Sequence, residues 1–189
     1  MGAVTRPLAI AAALVLVGAA FAVARTEPQE DLVFAPFGVR VAEGERGEGR
    51  GLRAAVDGAA LADVVVLDRW TGTTTGVWLL VDARMESTEN PTLAYATVQV
   101  GERVWPTSLR PGIYAMQSAS LDPGLPVAGT FVFELPEEVL DEAEARRATL
   151  RLSTKSDTRL ITVVEVELDL TGLDRAAEVE LERRELTRW

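Results

Sequence analysis

Cysteine and histidine are both absent from the 189 residues, and lysine occurs once, as Lys155. Without cysteine there is no disulfide, no thiolate nucleophile and no residue for lipid attachment at a signal peptide. Without histidine the commonest general base is missing as well. Ser-His-Asp, Cys-His and zinc-hydrolase chemistries are therefore excluded together. Stability has to come from packing unaided. The scarcity of lysine beside many Arg, Ala, Val and Gly reads as the bias of a GC-rich genome rather than as arginine-specific recognition. Aromatic residues make up 6% of the chain, too few for an evident sugar-stacking platform.

Positive charge is also in deficit. The net charge is −10, and because Arg6 is the only charged residue before Arg25, the part from Arg25 onward carries −11. A domain this acidic lacks the basic footprint that nucleic acid or anionic headgroups require, so no nucleic-acid partner is expected. Solubility is the default use of such a charge.

Long apolar runs are absent except for one. Pro7 to Ala24 (PLAIAAALVLVGAAFAVA) has no charged side chain and lies between Arg6 and Arg25. As a helix these residues would reach roughly 27 Å, just short of a hydrocarbon core of about 30 Å. Arg6, the apolar stretch Leu8 to Val17 and the small residues at Ala22-Val23-Ala24 also fit a cleaved signal peptide. Both readings stand, and in both the positive end stays cytoplasmic while the rest is extracytoplasmic. The expected organisation is a signal anchor or signal peptide over residues 1–24, a tether over 25–35 and one domain over 36–189.

Within that domain the dominant period is two. Val164, Val166, Leu168 and Leu170 alternate with Glu165, Glu167 and Asp169, as in a strand with one face in water. Val127, Phe131, Phe133 and Leu135 share one strand face, opposite Val132 and Glu134. Ala148, Leu150 and Leu152 alternate with Thr149, Arg151 and Ser153. Val77 to Met85 is apolar at every second residue and carries Trp78 and Leu80 on its other face, the mark of a central strand. Gly101-Glu102 is a two-residue hairpin turn, and Arg110-Pro111-Gly112 and Asp122-Pro123-Gly124 are Pro-Gly turns. Glu43 to Arg50 and Thr71 to Gly76 read as loops. Glu137 to Arg147 reads as one short crossover helix, with acids first and Arg146-Arg147 last. Residues 175–189 read as a strand in preference to a helix, from Ala177, Val179 and Leu181 against Glu178, Glu180 and Glu182. The fold class expected is all-β, a sandwich of about eight to ten strands behind an N-terminal transmembrane or signal helix.

One sequence of motifs goes further. An apolar strand after Thr75-Gly76 is followed by a Pro91 turn and a hairpin ending near Val104-Trp105. The Leu121-Asp122-Pro123-Gly124-Leu125-Pro126 turn then feeds Gly129-Thr130-Phe131-Val132-Phe133-Glu134-Leu135-Pro136. This order resembles the telokin-like, immunoglobulin-fold extracytoplasmic domains of bacterial membrane-anchored proteins and lipoproteins. The resemblance covers about Phe37 to Leu170 and implies a structural stretch, a turn then a core strand, in a family largely of unknown function. The missing lipobox cysteine departs from many members and leaves attachment to Pro7–Ala24 alone.

Candidate sites are few. Glu165, Glu167 and Asp169, with Glu178, Glu180 and Glu182, offer the oxygen ligands calcium prefers. Strand alternation spaces them roughly 7 Å apart, so a solvated face is the better reading. The acids between Glu134 and Glu144 read the same way, and no carboxylate pair stands out for glycoside hydrolysis. Ser153 and Lys155 could form a dyad only with a desolvated lysine, and Ser153-Thr154-Lys155-Ser156 reads as a turn. Asn90-Pro91-Thr92 fails as a glycosylation sequon because of its proline. Trp70, Trp78, Trp105 and Trp189 read as packing residues, Trp189 with the least reason to be buried. No catalytic, cofactor-binding or metal residue is assigned, and no cofactor. The expected role is a non-enzymatic interaction or accessory domain for an envelope protein partner, held by the membrane through Pro7–Ala24 if uncleaved. The alternative is a small-ligand or cation-binding module.

Overall fold

From Phe37 onward the period-two alternation is realised, among the described residues, as thirteen strands. They are β1 (Phe37–Val41), β2 (Arg46–Gly49), β3 (Leu52–Leu67), β4 (Trp70–Glu86), β5 (Thr92–Leu93), β6 (Tyr95–Val100) and β7 (Arg103–Pro106). After these come β8 (Ser120–Leu121), β9 (Val127–Leu135), β10 (Ala148–Ser153), β11 (Thr162–Leu168), β12 (Arg175–Glu180) and β13 (Glu185–Leu186). The count exceeds the eight to ten expected because several strands are two residues long. The computed structural model describes residues 5–26, 34–68 and 70–189, in two compact units, Met1–Ala35 and Pro36–Trp189.

The first unit contains one helix, Thr5–Thr26. Among the described residues no helix is long and apolar enough to cross a membrane. Most of the expected tether lies outside the described residues.

The second unit is a β-sandwich. Sheet I has the strand order β1-β11-β10-β6-β7, and sheet II the order β12-β3-β4-β9-β13, with β2 also on β3. β1 runs parallel to β11 and β12 parallel to β3, while β10, β11, β6, β7, β3, β4 and β9 pair antiparallel. Between the sheets lie Leu79, Val81, Phe131 and Phe133 from sheet II and Val98, Leu150, Val164 and Val166 from sheet I, all fully buried. These are the inward residues that the alternation picks out. Gly101 has φ +58 in the β6–β7 turn, and Gly124 has φ +79 after Pro123, where the Leu125 amide donates to the Asp122 carbonyl. Both turns are as the sequence predicts.

Three expected irregular or helical segments differ. Arg46–Gly49, within Glu43–Arg50, is strand β2 rather than loop. A Cβ on Gly47 would lie 2.8 Å from Val164, and one on Gly49 2.5 Å from Thr162, so the glycines let β2 lie against β11. Thr71–Gly76 belongs to β4, not to a loop. The β3–β4 register passes from Ala62↔Trp78 to Val64↔Thr73, so residues 74–77 form a wide bulge. There a Cβ on Gly76 would come within 2.0 Å of the Leu135 carbonyl oxygen.

The third is Glu137–Arg147, which forms two 3₁₀ turns, Glu137–Asp141 and Ala143–Arg147, separated by extended Glu142. Val139 and Ala145 are both buried. Six residues apart, they would stand about 120° from one another around an α-helix, whereas here each turn buries one of them in the main core on either side of extended Glu142. At the C-terminal end the strand reading holds for β12, and Leu181 is buried after it.

Replacing Gly76 by Ala is expected to destabilise the sandwich by about 2–4 kcal/mol, because the added methyl meets backbone that cannot move aside. Gly58→Ala, where the space beside the backbone is open, should change stability by less than about 1 kcal/mol. Urea unfolding of the two variants measures the contrast.

Candidate functional site

Several of the charged groups singled out from sequence are already engaged with other side chains. Glu165 accepts from Arg40 Nε at 3.2 Å and from Arg151 Nε at 3.0 Å, and Glu167 pairs with Arg147. Asp169 instead accepts from the Thr171 amide and hydroxyl at the start of the turn Leu170–Gly172. These hydrogen bonds hold its carboxyl below the usual range. Glu178 and Glu180 stand on β12 in sheet II and do not join the sheet I carboxylates. Among the described residues no group of three potential ligands is placed to hold a metal ion. An open groove of about 610 Å³ on the outer face of sheet I is lined by Arg40, Arg147, Arg151, Glu144, Glu165 and Glu167, equal numbers of each charge.

Three of the acids from Glu134 to Glu144 are engaged in the same way. Glu134 accepts from Ser108 and Arg110, Glu137 from Arg175, and Glu142 from Arg103. Ser153 Oγ donates to the Lys155 carbonyl, and Lys155 is exposed. The pair forms a turn and not a dyad.

The outer face of sheet II is more informative. Trp78, Leu80, Val132, Ala62 and Val65 point away from the main core, yet all are buried in a second apolar cluster with Ala115 and Leu181. Two segments cover them. The first is the loop between β7 and β8. Its Arg110 guanidinium stacks 5.0 Å from the Trp78 ring and 5.5 Å from Trp70, and donates to the Thr73 carbonyl and Glu134. The two tryptophans meet edge to face at 6.4 Å, and Trp78 Nε1 donates to the Gly72 carbonyl. A Cβ on Gly72 would lie 2.1 Å from the Trp70 ring. The loop so held turns Leu109 and Ile113 outward, 75% and 69% exposed.

The second cover is residues 181–189, which run as a strap from the Val66 carbonyl, where the Leu181 amide donates, to the far end of β4. The strap crosses β9 at Gly129, where an added Cβ would meet Arg184 Cβ at 2.9 Å, and β13 pairs with Val127 and Ala128. Arg183 donates to the Tyr114 hydroxyl and Arg184 to the Ala115 carbonyl. At its end Trp189 donates its indole N–H to Glu86, while the guanidinium groups of Arg46, Arg53 and Arg84 approach its ring within 5.9 Å. Glu86 is only 5% exposed and also accepts from the Gly124 amide at 2.8 Å and from Arg53 at 3.0 Å. Burial opposes its ionisation more than any other single influence. Trp189, the Gly124 amide and Arg53 together still hold its carboxyl below the usual range.

Neither Glu86 nor the three arginines carries a sequence signal. Glu86 lies on the face of β4 that turns polar, and its indole donor is 103 residues away.

No protein-family profile matches the chain, and no curated protein matches it. Among solved structures it is similar to an uncharacterised β-sandwich protein from Clostridium difficile 630, with a TM-score of 0.47 and 13% identity over 74% of this chain and 99% of that one. It is also similar to the yjhA protein from Bacillus subtilis, again with a TM-score of 0.47 and 13% identity, over 68% of this chain and 99% of that one.

A carboxyl held below its ordinary value stabilises the fold above that ordinary value and loses the contribution as pH falls from there through its lowered folded-state value. Glu86→Gln is therefore expected to flatten the acid limb of the stability curve between about pH 5 and pH 3. Urea midpoints recorded across that range for the variant and its parent give the comparison. A second expectation concerns metal: with Glu165 and Glu167 held by arginines, millimolar calcium should shift the melting temperature by less than about 1 °C, read by calorimetry.

Proposed function

We propose that the chain is a non-enzymatic, extracytoplasmic interaction domain of the telokin-like, immunoglobulin-fold kind, held at the bacterial cytoplasmic membrane or secreted across it. The observation that carries this reading is the loop between β7 and β8. Arg110 is fixed between two tryptophan rings, the Thr73 carbonyl and Glu134, and Pro111 is buried. That much organisation serves to hold Leu109 and Ile113 in water. Solvated aliphatic side chains on an ordered loop are a cost to a lone domain and an anchor for a bound partner.

The location rests on the charge-free stretch Pro7–Ala24 between Arg6 and Arg25, which is helical along its length. Membrane insertion or export puts the acidic sandwich outside the cytoplasm with an envelope protein as its partner. N-terminal sequencing of the protein recovered from cells separates the two forms. An intact Met1 marks the anchored protein, and Arg25 as the first residue marks the secreted one.

Crosslinking in membranes followed by mass spectrometry tests the role. The parent chain is expected to yield a defined protein partner, and Leu109→Asp with Ile113→Asp to lose at least about 90% of that product, since two buried aliphatic anchors are worth roughly 3 kcal/mol or more. Their melting temperatures should agree within about 2 °C, as both positions are exposed. Equal crosslinking by parent and variant would sink the reading.

A further inference from the structure

We propose that residues 182–189 form an acid-released latch: ionised Glu86 holds Trp189 at the end of β4, and protonation of that one carboxyl lets the strap lift from sheet II while the sandwich stays folded. The latch rests on the interaction reading above only for its use, which is to regulate the loop that displays Leu109 and Ile113.

Few bonds hold the strap. Beyond Leu181, its last buried residue, they are the two-residue ladder to β9, the Thr187 amide to the Pro126 carbonyl, Arg183 to the Tyr114 hydroxyl, Arg184 to the Ala115 carbonyl, and the Trp189 indole to Glu86. Of these acceptors Glu86 alone changes charge between about pH 7 and pH 3. Glu182 to Trp189 are all half-buried or exposed, so lifting them uncovers little apolar surface of their own.

The surroundings of Glu86 make its charge matter. It is 5% exposed and lies opposite Arg53 of β3, which also bonds Glu48 of β2. The Gly124 amide reaches it from the turn that follows Asp122, and Trp189, preceded by Arg188, reaches it from the strap. Arg46 of β2 and Arg84 of β4, the latter tied to Asp57, stand with Arg53 around the indole ring. Burial opposes ionisation of Glu86 most, and the indole, the Gly124 amide and Arg53 together outweigh it. By linkage, a donor that favours the ionised carboxyl is itself held more tightly by that form. A charge-assisted hydrogen bond is roughly twice as strong as a neutral one. Protonation therefore loosens the indole and leaves three guanidinium groups around its ring with one countercharge fewer.

Release of the strap takes Arg183 from Tyr114 and Arg184 from Ala115. Arg110 on the tryptophan pair then remains as the hold on the loop. The main core between the sheets takes no residue from the strap beyond Leu181, so nothing in it has to open.

Amide exchange on the full chain, followed by NMR and corrected for its intrinsic pH dependence, tests the latch. In the parent, protection of the Thr187 amide should fall at least about tenfold between about pH 6 and pH 3.5, with the Leu79 amide of β4 at least about 100-fold better protected throughout. Glu86→Gln keeps an acceptor without the charge, so its Thr187 amide should be about tenfold less protected at pH 6 and show no further acid step. Trp189→Phe keeps a ring for the arginines and removes the donor, and should behave the same way with every carboxylate intact. Thermal melts confirm that each variant is folded. The parent also gives a readout free of any substitution: the Trp189 indole N–H resonance should move with the acid step, and that of Trp78, bonded to the Gly72 carbonyl, should not. A Thr187 amide indifferent to pH, an acid step that survives in Glu86→Gln, Trp189→Phe matching the parent, or joint loss of Thr187 and Leu79 protection would each overturn the latch. Exchange reads the latch and crosslinking reads the interaction role, so either can fail while the other stands.

Discussion

The structure depends on β4 being apolar on both faces. Val77, Leu79, Val81, Ala83 and Met85 point inward to sheet I, while Trp78 and Leu80 point the other way and are buried as well. A two-layer sandwich covers only the first set. Leaving a tryptophan and a leucine in water would forfeit roughly 1.5–3 kcal/mol for each. The chain meets this with a partial third layer made from the β7–β8 loop and the strap after β12. Buried Trp78 also needs a partner for its indole N–H, and the Gly72 carbonyl supplies it. The bulge, the glycines around it and the arginine stacked on the ring all serve one buried residue.

The abundance of arginine takes on a physical meaning in this setting. Sequence composition alone attributes it to genome bias, yet several arginines sit where lysine would fit poorly. Arg84 makes two bonds to Asp57, at 2.6 and 2.7 Å, and Arg110 lies on two indoles while donating to a carbonyl and a carboxylate. A planar fork can stack and bridge at once, whereas an ammonium cannot. The exposed pairs, such as Arg147 with Glu167, add little to stability. They also occupy carboxylate oxygens that would otherwise face water alone.

Legibility followed periodicity. The faces of β9, β10 and β11 were readable because each strand has one dry side and one wet side, and β4 announced its central place by being dry on both. Where the rule is broken, the cause lies elsewhere in the chain. Gly47 and Gly49 look like loop residues until Val164 and Thr162 are set against them. Glu137–Arg147 has the charges of an α-helix, but it forms two 3₁₀ turns that bury Val139 and Ala145 on either side of extended Glu142. Glu86 is the sharpest case. It follows Asp82 and Arg84 on one face of β4, and only the arrival of Trp189 and the Gly124 amide makes it a buried acceptor. Local alternation encodes strand faces. It is silent about partners brought in over long sequence separations.

The strap joins two places at opposite ends of β4. Arg183 and Arg184 grip Tyr114 and Ala115 in the loop that also displays Leu109 and Ile113, and Trp189 grips Glu86 at the other end. The loop is therefore held from two directions, by Arg110 on the tryptophan pair and by the strap's arginines. Any event that lifts the strap withdraws the second hold and leaves the first. Coupling of this kind is reciprocal, so whatever orders the loop around Tyr114 and Ala115 also favours the strap in place, through the same two arginines.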